Sequence, residues 1–315
     1  MQVKLGNVQF GTVLAASGVQ GFFGEGYWFH PYLRPFGLDF SNVTFVAKTT
    51  TLQPRAGNMP LRDDFAPRER MPRCIYVKPQ AGIALNAVGL AGPGATALFK
   101  TGRWQARTKP FFLSFMSVAK TADERLDELK SFVELFRAYL PQFRAQVGLQ
   151  INYSCPNAGL HLNELLGEVG DGLFIAARLG IPLMPKFNIT LPPEVARDIS
   201  NHPACSGLCI SNTIPYGQMP DKIDWRKLFG PVSPLAQYGG GGLSGKPLLP
   251  LLFKWIKMAR RFGFTKPINA GGGILSLVDA RVLAKCLNDD DSIFLGSIAF
   301  LRPWRVRGIA EAFRG

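Results

Sequence analysis

The sequence predicts a TIM barrel, an α/β fold in which eight parallel strands alternate with helices and close into a cylinder. Eight short apolar segments alternate with segments of helical periodicity, and several of them are followed at once by a polar or glycine-rich turn. From Cys155 to Lys186, from Lys186 to Asn212 and from Gly271 to Gly296 the steps are 31, 26 and 25 residues. A barrel of about 250 residues implies roughly 30 residues per unit, so this spacing fits the fold.

The predicted strands are short and apolar. They cover residues 12–16, 43–47, 111–116, 147–152, 181–185, 207–211, 267–270 and 292–295, and residues 3–10 predict a strand or hairpin ahead of them. Apolar periodicity predicts helices at 121–139, 162–179, 192–199, 247–262 and 277–287, with a last helix at the C-terminus. Because no linker divides the chain, we expect a single domain over residues 1–315.

Three connections are unusually long for a barrel. Residues 53–85 are rich in proline and charge, and this length is typical of a loop that covers a functional site. A second insertion spans residues 214–238 and runs into the glycine stretch at 239–245. Residues 21–40 are crowded with aromatic side chains and predict irregular structure packed over the barrel, with a hydrophobic docking surface as the alternative.

Composition restricts the class of protein. The chain has 315 residues, of which 47% are hydrophobic and 18% charged, as in globular proteins. It has neither an apolar run of the ~18 residues that span a bilayer nor an N-terminal leader, so we expect a cytoplasmic location. The net charge of +14 suits anionic substrates, phosphate, nucleic acid or an acidic membrane, and charge alone does not choose among them.

Cysteine and histidine usage argues against two kinds of site. Five scattered cysteines do not suggest a disulfide framework. The three histidines lack metal-ligand spacing, so we expect no metal.

The stretch from residue 151 to residue 157 carries the most specific chemistry. A strand ends at Asn152, and Cys155 and Asn157 follow in a short loop that cannot continue it. A thiolate can accept a proton from carbon, and amides both donate and accept hydrogen bonds, which suits a flat, amide-bearing ring. The alternative is a buried structural cysteine beside a turn-forming asparagine.

Other strand ends could hold anionic groups. Residues 271–273 and the pair Gly296 and Ser297 follow the last two strands, where barrels often bind phosphate through backbone N–H groups. Lys48 and Lys186 lie at the ends of apolar strands and could stabilise negative charge on a cofactor or substrate. The alternative for each lysine is an ion pair with a carboxylate.

Taken together, several motifs resemble those of the dihydroorotate dehydrogenases, in chain order and over nearly the whole chain. They are residues 48–55 (KTTTLQPR), 57–58, 86–90 (NAVGL), 152–157 (NYSCPN), 186, 211–213 (SNT), 241–245 (GGLSG) and 271–274 (GGGI). This resemblance implies a TIM barrel that carries FMN and oxidises dihydroorotate to orotate in pyrimidine biosynthesis.

The resemblance also implies roles for individual residues. Cys155 would remove the C5 proton while hydride passes from C6 to flavin N5, with Lys48 and Lys186 beside the flavin. The substrate-binding residues it implies are Lys48, Asn86, Asn152, Asn157, Asn212 and Thr213. The cofactor-binding residues it implies are Ser17, Gly18, Lys48, Thr49, Asn152, Lys186, Gly245, Gly272, Gly273, Gly296 and Ser297.

The motifs do not all resemble one class within the family. A cysteine base resembles the soluble class 1 enzymes, whereas residues 241–248 resemble the membrane-associated class 2, whose base is usually serine. The electron acceptor is not predicted, and a homodimer stays an open alternative. Basic residues Lys254, Lys257 and Arg261 lie on the helix at 247–262, which we expect in the outer ring, with peripheral membrane contact as the less favoured alternative.

Three other functions remain in competition. A flavin-dependent tRNA dihydrouridine synthase would explain the +14 charge, but no separate RNA-binding domain is evident, so nucleic acid is a disfavoured partner. A reductase of free pyrimidine bases would need no carboxylate clamp. A catalytically silent ligand-binding barrel is opposed by the presence of Cys155, Lys48 and Lys186.

Overall fold

The computed structural model describes residues 2–153 and 162–313 of the chain. In these residues the strands are β1 (Gln2–Leu5), β2 (Val8–Gly11), β3 (Val13–Ala15), β4 (Ile75–Lys78), β5 (Ile83–Asn86), β6 (Phe111–Phe115), β7 (Val147–Asn152), β8 (Leu183–Phe187), β9 (Leu208–Ile210), β10 (Ile214–Pro215), β11 (Gly242–Gly245), β12 (Ile268–Ala270) and β13 (Ser292–Leu295).

The helices alternate with these strands through most of the chain. They are α1 (His30–Leu33), α2 (Ala95–Lys100), α3 (Ala122–Tyr139), α4 (Leu162–Ala176), α5 (Pro193–Ser200), α6 (Trp225–Phe229), α7 (Leu248–Arg261), α8 (Leu277–Ala284), α9 (Ile298–Leu301) and α10 (Val306–Ala312). Short 3-10 turns lie at Leu140–Gln142, Ala177–Leu179, Ala236–Tyr238 and Pro303–Arg305. No helix in the described ranges is long and apolar enough to cross a bilayer.

Seven parallel strands form a curled sheet in the order β3, β13, β12, β9, β8, β7, β6. Residues 43–50 join its two edges. On one side the Thr44 N–H donates to the Val13 carbonyl at 2.9 Å, and on the other the Ala47 N–H donates to the Phe112 carbonyl at 2.9 Å. This segment is therefore the eighth strand position, although it pairs through isolated bridges and not as a regular strand. The predicted TIM-barrel fold is confirmed.

A hairpin closes the end of the barrel at which the strands begin. The strands β1 and β2 pair antiparallel, as predicted for residues 3–10. Their buried side chains join a cluster inside the barrel, where the rings of Phe10 and Phe112 lie 4.4 Å apart. That cluster contains Val3, Leu5, Val8, Phe10, Leu14, Val46, Phe112, Met184, Cys209 and Phe294. The barrel interior is thus a packed core, which leaves the opposite end for a ligand.

The outer helices follow their sequence patterns. The helix α3 begins at a capping box, in which Thr121 Oγ1 accepts from the Glu124 N–H and Glu124 Oε2 accepts from the Thr121 N–H. In α7 the apolar face is buried, and the indole of Trp255 donates to the Leu191 carbonyl at 2.6 Å. The helix α7 therefore packs in the outer ring, with Lys254 and Lys257 exposed.

The two long insertions contain strands that were not predicted. Residues 53–85, interpreted as a loop, include β4 and most of β5, and the predicted glycine turn at 239–245 includes β11. With β10 they form a separate antiparallel sheet in the order β10, β11, β5, β4, which we call the insertion sheet. The pairing joins segments about 160 residues apart, from Gly242 opposite Asn86 to Gly245 opposite Ile83. Such long-range pairing leaves no local periodicity in a strand of sequence Gly-Leu-Ser-Gly.

Candidate active site

A cavity of about 220 Å³ lies at the ends of the barrel strands. One water molecule needs roughly 10–15 Å³ on the same measure, so the cavity has room for a sizeable ligand. Its walls come from residues at or just after the ends of seven of the eight strand positions and from the insertion sheet. Because parallel strands direct their carboxyl ends to one face, side chains far apart in sequence meet here.

Most of the predicted site residues line this cavity. Those in its wall are Ser17, Gly18, Lys48, Thr49, Asn86, Asn152, Lys186, Asn212, Thr213, Gly272, Gly273, Gly296 and Ser297. Gly245 stands behind the wall at the end of β11, where its carbonyl faces Gly273. The predicted Cys155 and Asn157 lie outside the described residues, so their roles stay predictions.

Lys186 is held by a chain of hydroxyl groups from three strand ends. It lies within β8, one residue before the strand ends, and the residue is 6% exposed. Its Nζ donates to Ser17 Oγ at 3.2 Å, which lies 3.2 Å from Thr49 Oγ1, which in turn lies 2.9 Å from Ser114 Oγ. These contacts fix the ammonium group at the cavity wall.

Lys48 supplies a second buried ammonium group. It is 7% exposed, donates to the Ala91 carbonyl, and its Nζ lies 4.7 Å from the centre of the Phe22 ring. The wall residues in the described part of the chain include these two lysines and no aspartate or glutamate. The wall therefore has a positive potential, which favours an anionic ligand.

Two asparagines form a linked amide pair. Asn212 Nδ2 donates to Asn152 Oδ1 at 3.1 Å, and Asn212 Oδ1 accepts from the Thr213 N–H at 2.9 Å. This arrangement sets the orientation of the Asn212 amide. A third wall amide, Asn86, comes from the end of β5 in the insertion sheet. Together these amides could pair with the N–H and C=O groups of a planar ring.

Glycines bring backbone close to the cavity where a side chain would not fit. Gly273 has φ +80°, and a Cβ there would lie 2.7 Å from the Gly245 carbonyl oxygen and 2.9 Å from the Leu249 nitrogen. A Cβ on Gly296 would lie 2.9 Å from the Ala16 Cβ. Both positions therefore favour glycine, which lets the backbone pack closely at the cavity wall.

Apolar wall residues were missed by the sequence reasoning. Tyr27 and Phe300 line the cavity with their rings edge to face at 4.7 Å, and Val88 and Leu90 line it beside them. Burial raises the pKa of the Tyr27 hydroxyl, so this side chain stays neutral. For Tyr27 the signal in the sequence was the aromatic crowding of residues 21–40, which has no periodicity to separate wall residues from packing residues.

Replacing Gly273 by alanine is expected to destabilise the protein by more than backbone strain alone. Strain at positive φ costs about 1–2 kcal/mol, and the clash with Gly245 and Leu249 adds roughly 1–3 kcal/mol. The control is Gly217→Ala, where φ is +86° but nothing lies within 4 Å of the added Cβ. Urea unfolding of both variants measures the difference in the free energy of unfolding. Equal losses would show that Gly273 is not a point of close approach.

Comparison with known proteins places the chain in a family. The family model described as dihydroorotate dehydrogenase matches residues 1–286. The protein named dihydroorotate dehydrogenase B (NAD(+)), catalytic subunit, from Desulforudis audaxviator is 29% identical over 311 residues, 95% of this chain and 86% of that protein. The protein of the same name from Listeria monocytogenes serotype 4a is 28% identical over 302 residues, 93% of this chain and 84% of that protein.

A relative from Saccharolobus solfataricus carries the same name and is 28% identical over 231 residues, 72% of this chain and 66% of that protein. These matches confirm the resemblance stated from the motifs and the prediction of an oxidoreductase. The chain belongs to the dihydroorotate dehydrogenase family.

Proposed function

We propose that this protein is an FMN-dependent dihydroorotate dehydrogenase that oxidises dihydroorotate to orotate in pyrimidine biosynthesis. The observation that carries the proposal is the convergence of two buried ammonium groups, a linked amide pair and close-packed glycines around one cavity. Family membership supports the same reaction, and the names of the relatives state it for those proteins. The same match weighs against a tRNA dihydrouridine synthase and against a silent binding barrel.

The wall residues fit FMN. The apolar side chains Tyr27, Leu90 and Phe300 suit the faces and edge of a flat ring system. The backbone at Gly272, Gly273, Gly296 and Ser297 suits the phosphate, since these residues follow the last two barrel strands and line the cavity. When bound, FMN would supply the redox chemistry by accepting hydride from the substrate. Ser17, Gly18, Thr49 and Gly245 complete the proposed set of cofactor residues.

The chain's own polar groups would bind and orient the substrate. Asn86, Asn152 and Asn212, with Thr213 and the predicted Asn157, would hydrogen-bond the amide edges of the ring. The substrate carries a carboxylate, and the positive wall made by Lys48 and Lys186 would favour its entry. Because the Asn212 amide is already held by Asn152 and by the Thr213 N–H, little ordering is needed on binding.

Cys155 would accept the C5 proton of the substrate at its Sγ atom. A thiol has an ordinary pKa of about 8.5, and nearby positive charge lowers the pKa by favouring the thiolate. The described cysteines are unsuited to this task. Burial raises the pKa to about 11 for Cys74, Cys205 and Cys286, and to about 12 for Cys209, where the nearby Lys186 charge opposes the increase.

The first test is the colour of the purified protein and its response to dihydroorotate without oxygen. We expect flavin absorbance that bleaches on addition of dihydroorotate. Cys155→Ala should keep the absorbance and lose fast bleaching by about 100-fold or more, since general-base catalysis contributes on that order. Cys286→Ser, a half-buried thiol away from the cavity wall, is the matched control and should bleach like the unmodified protein.

Each failure of this test has a distinct meaning. A colourless protein that does not take up FMN would overturn the cofactor. A yellow protein that dihydroorotate does not bleach, but whose flavin is reoxidised by free pyrimidine bases after reduction with dithionite, would favour the pyrimidine reductase. Equal bleaching rates for Cys155→Ala and the unmodified protein would overturn the base.

Thiol reactivity gives a second test of the cysteine assignment. At pH 7.5 a thiol of pKa 11–12 is thiolate in less than about one molecule in a thousand, whereas a thiol of pKa near 8.5 is thiolate in roughly one in ten. Brief alkylation of the native protein by iodoacetamide should therefore modify Cys155 alone, as read by peptide mass spectrometry. The reaction should slow as pH falls through the pKa of Cys155. Labelling of Cys286 ahead of Cys155 would contradict the assignment.

A further inference from the structure

An exposed aromatic surface lies beside the cavity. Of the ten large hydrophobic side chains that are exposed in the described residues, five belong to this surface. We call it the aromatic patch, and its members with their exposed fractions are Trp28 (49%), Tyr32 (70%), Phe36 (72%), Met71 (81%) and Trp304 (56%). Clusters of this kind are uncommon on monomeric proteins and mark interaction surfaces.

The members of the patch come from three segments that contact one another. The rings of Trp28 and Tyr32 lie 6.2 Å apart, and the Trp28 indole donates to the Arg70 carbonyl at 2.8 Å, directly before Met71. Phe36 precedes Gly37, whose backbone packs against the backbone of Trp304. The five side chains are therefore carried by three adjoining segments of the chain.

The segments that carry the patch are rich in arginine, and the Arg70 guanidinium lies 5.7 Å from the centre of the Trp28 ring. Residues 28–39, 68–73 and 304–307 contain six arginines, which are Arg34, Arg68, Arg70, Arg73, Arg305 and Arg307, and two carboxylates. Both carboxylates lie near arginines, Asp39 at 3.9 Å from Arg34 and 3.5 Å from Arg307, and Glu69 at 3.9 Å from Arg73. The surface thus has an excess of positive charge, in keeping with the net charge of +14.

The patch is continuous with the wall of the candidate site. Trp28 follows Tyr27, which lines the cavity with its ring against Phe300. The ring of Phe29 stacks on Tyr27 at 5.9 Å and meets Trp28 edge to face at 6.1 Å. A membrane or other partner bound at the patch would therefore lie next to the aromatic side of the cavity.

We propose that the aromatic patch binds the surface of an anionic lipid bilayer. Tryptophan and tyrosine favour the headgroup region, and arginines beside them pair with lipid phosphates. The patch side chains come from three segments and have exposed fractions of 49–81%, so they could insert among the lipid headgroups. This membrane surface is distinct from α7, whose apolar face is buried in the outer ring. The proposal does not depend on the reaction that the cavity supports.

The test is sedimentation of the full-length protein with lipid vesicles. One vesicle preparation is phosphatidylcholine alone, and the other contains about 30% phosphatidylglycerol to supply negative charge. We expect at least roughly tenfold stronger partitioning to the anionic vesicles, with weaker binding as salt is raised. The triple variant Tyr32→Ser, Phe36→Ser, Trp304→Ser should lower that partitioning at least about tenfold, because three aromatic side chains no longer leave water.

Matched controls separate the patch from general hydrophobicity and charge. Phe174→Ser with Val278→Ser removes side chains of 68% and 67% exposure elsewhere, and should leave binding within about twofold. Lys254→Gln with Lys257→Gln removes the exposed charge of α7 and should have a smaller effect than Arg68→Gln with Arg70→Gln. Circular dichroism checks the fold of each variant, and the arginine pair serves as the test if the triple variant unfolds.

Three results would overturn the proposal. The first is an absence of binding to anionic vesicles by the unmodified protein. The second is equal loss of binding in the patch variants and their controls. The third is a dimer, or a complex with an acidic protein, that the patch variants disrupt while vesicle binding is unaffected, since the patch would then be a protein interface.

Discussion

Closure of the parallel sheet by residues 43–50 is the constraint on which the rest of the structure depends. The seven regular strands leave two edges, β3 and β6, and this segment hydrogen-bonds to both. Closure satisfies the backbone groups of both edges and gives every strand the same direction around one axis. It also places Lys48, which lies within the segment, at the same mouth as Asn152 and Lys186.

The buried lysines show how the fold accommodates charge at that mouth. Removing an ammonium group from water is costly unless polar groups or opposite charge replace the water. The Lys186 ammonium is hydrogen-bonded to the chain of hydroxyl groups that runs from Ser17 through Thr49 to Ser114. The Lys48 ammonium contacts the Ala91 carbonyl and the Phe22 ring. These neutral groups orient each ammonium. An anionic substrate and a phosphate-bearing cofactor could both use the positive charge that the two lysines bring to the wall.

Local chemistry made much of the barrel predictable. Apolar runs that stop at polar or glycine turns marked the strands, and seven of them are regular strands within one or two residues of the prediction. Side chains at strand ends were also found in advance, because a lysine or asparagine after an apolar run has few structural uses. Lys186 is a small exception, since β8 continues one residue past it to Phe187.

What the sequence could not predict depends on contacts between distant segments. The insertion sheet forms only when β5 and β11 pair. The glycine-rich β11 has no alternation of apolar and polar residues from which a strand could be predicted. Tyr27 is buried in the cavity wall and its neighbour Trp28 is half exposed, yet both belong to one aromatic run without periodicity. Gly245, which was predicted at the cofactor, lies behind the wall residue Gly273, and its contact with the cofactor stays a prediction. In each case the outcome is set by what packs opposite, which no local pattern records.

A crystal structure of the protein with FMN and orotate would test directly whether the mouth of the barrel holds both molecules. We predict a flavin ring within contact of Lys48 and Lys186. The flavin phosphate should lie at the backbone of Gly272, Gly273, Gly296 and Ser297. Orotate should lie beside Asn86, Asn152 and Asn212, with the Cys155 sulfur over its ring. Flavin density at another surface, or a Cys155 sulfur on the far side of the barrel from Lys186, would contradict this assignment.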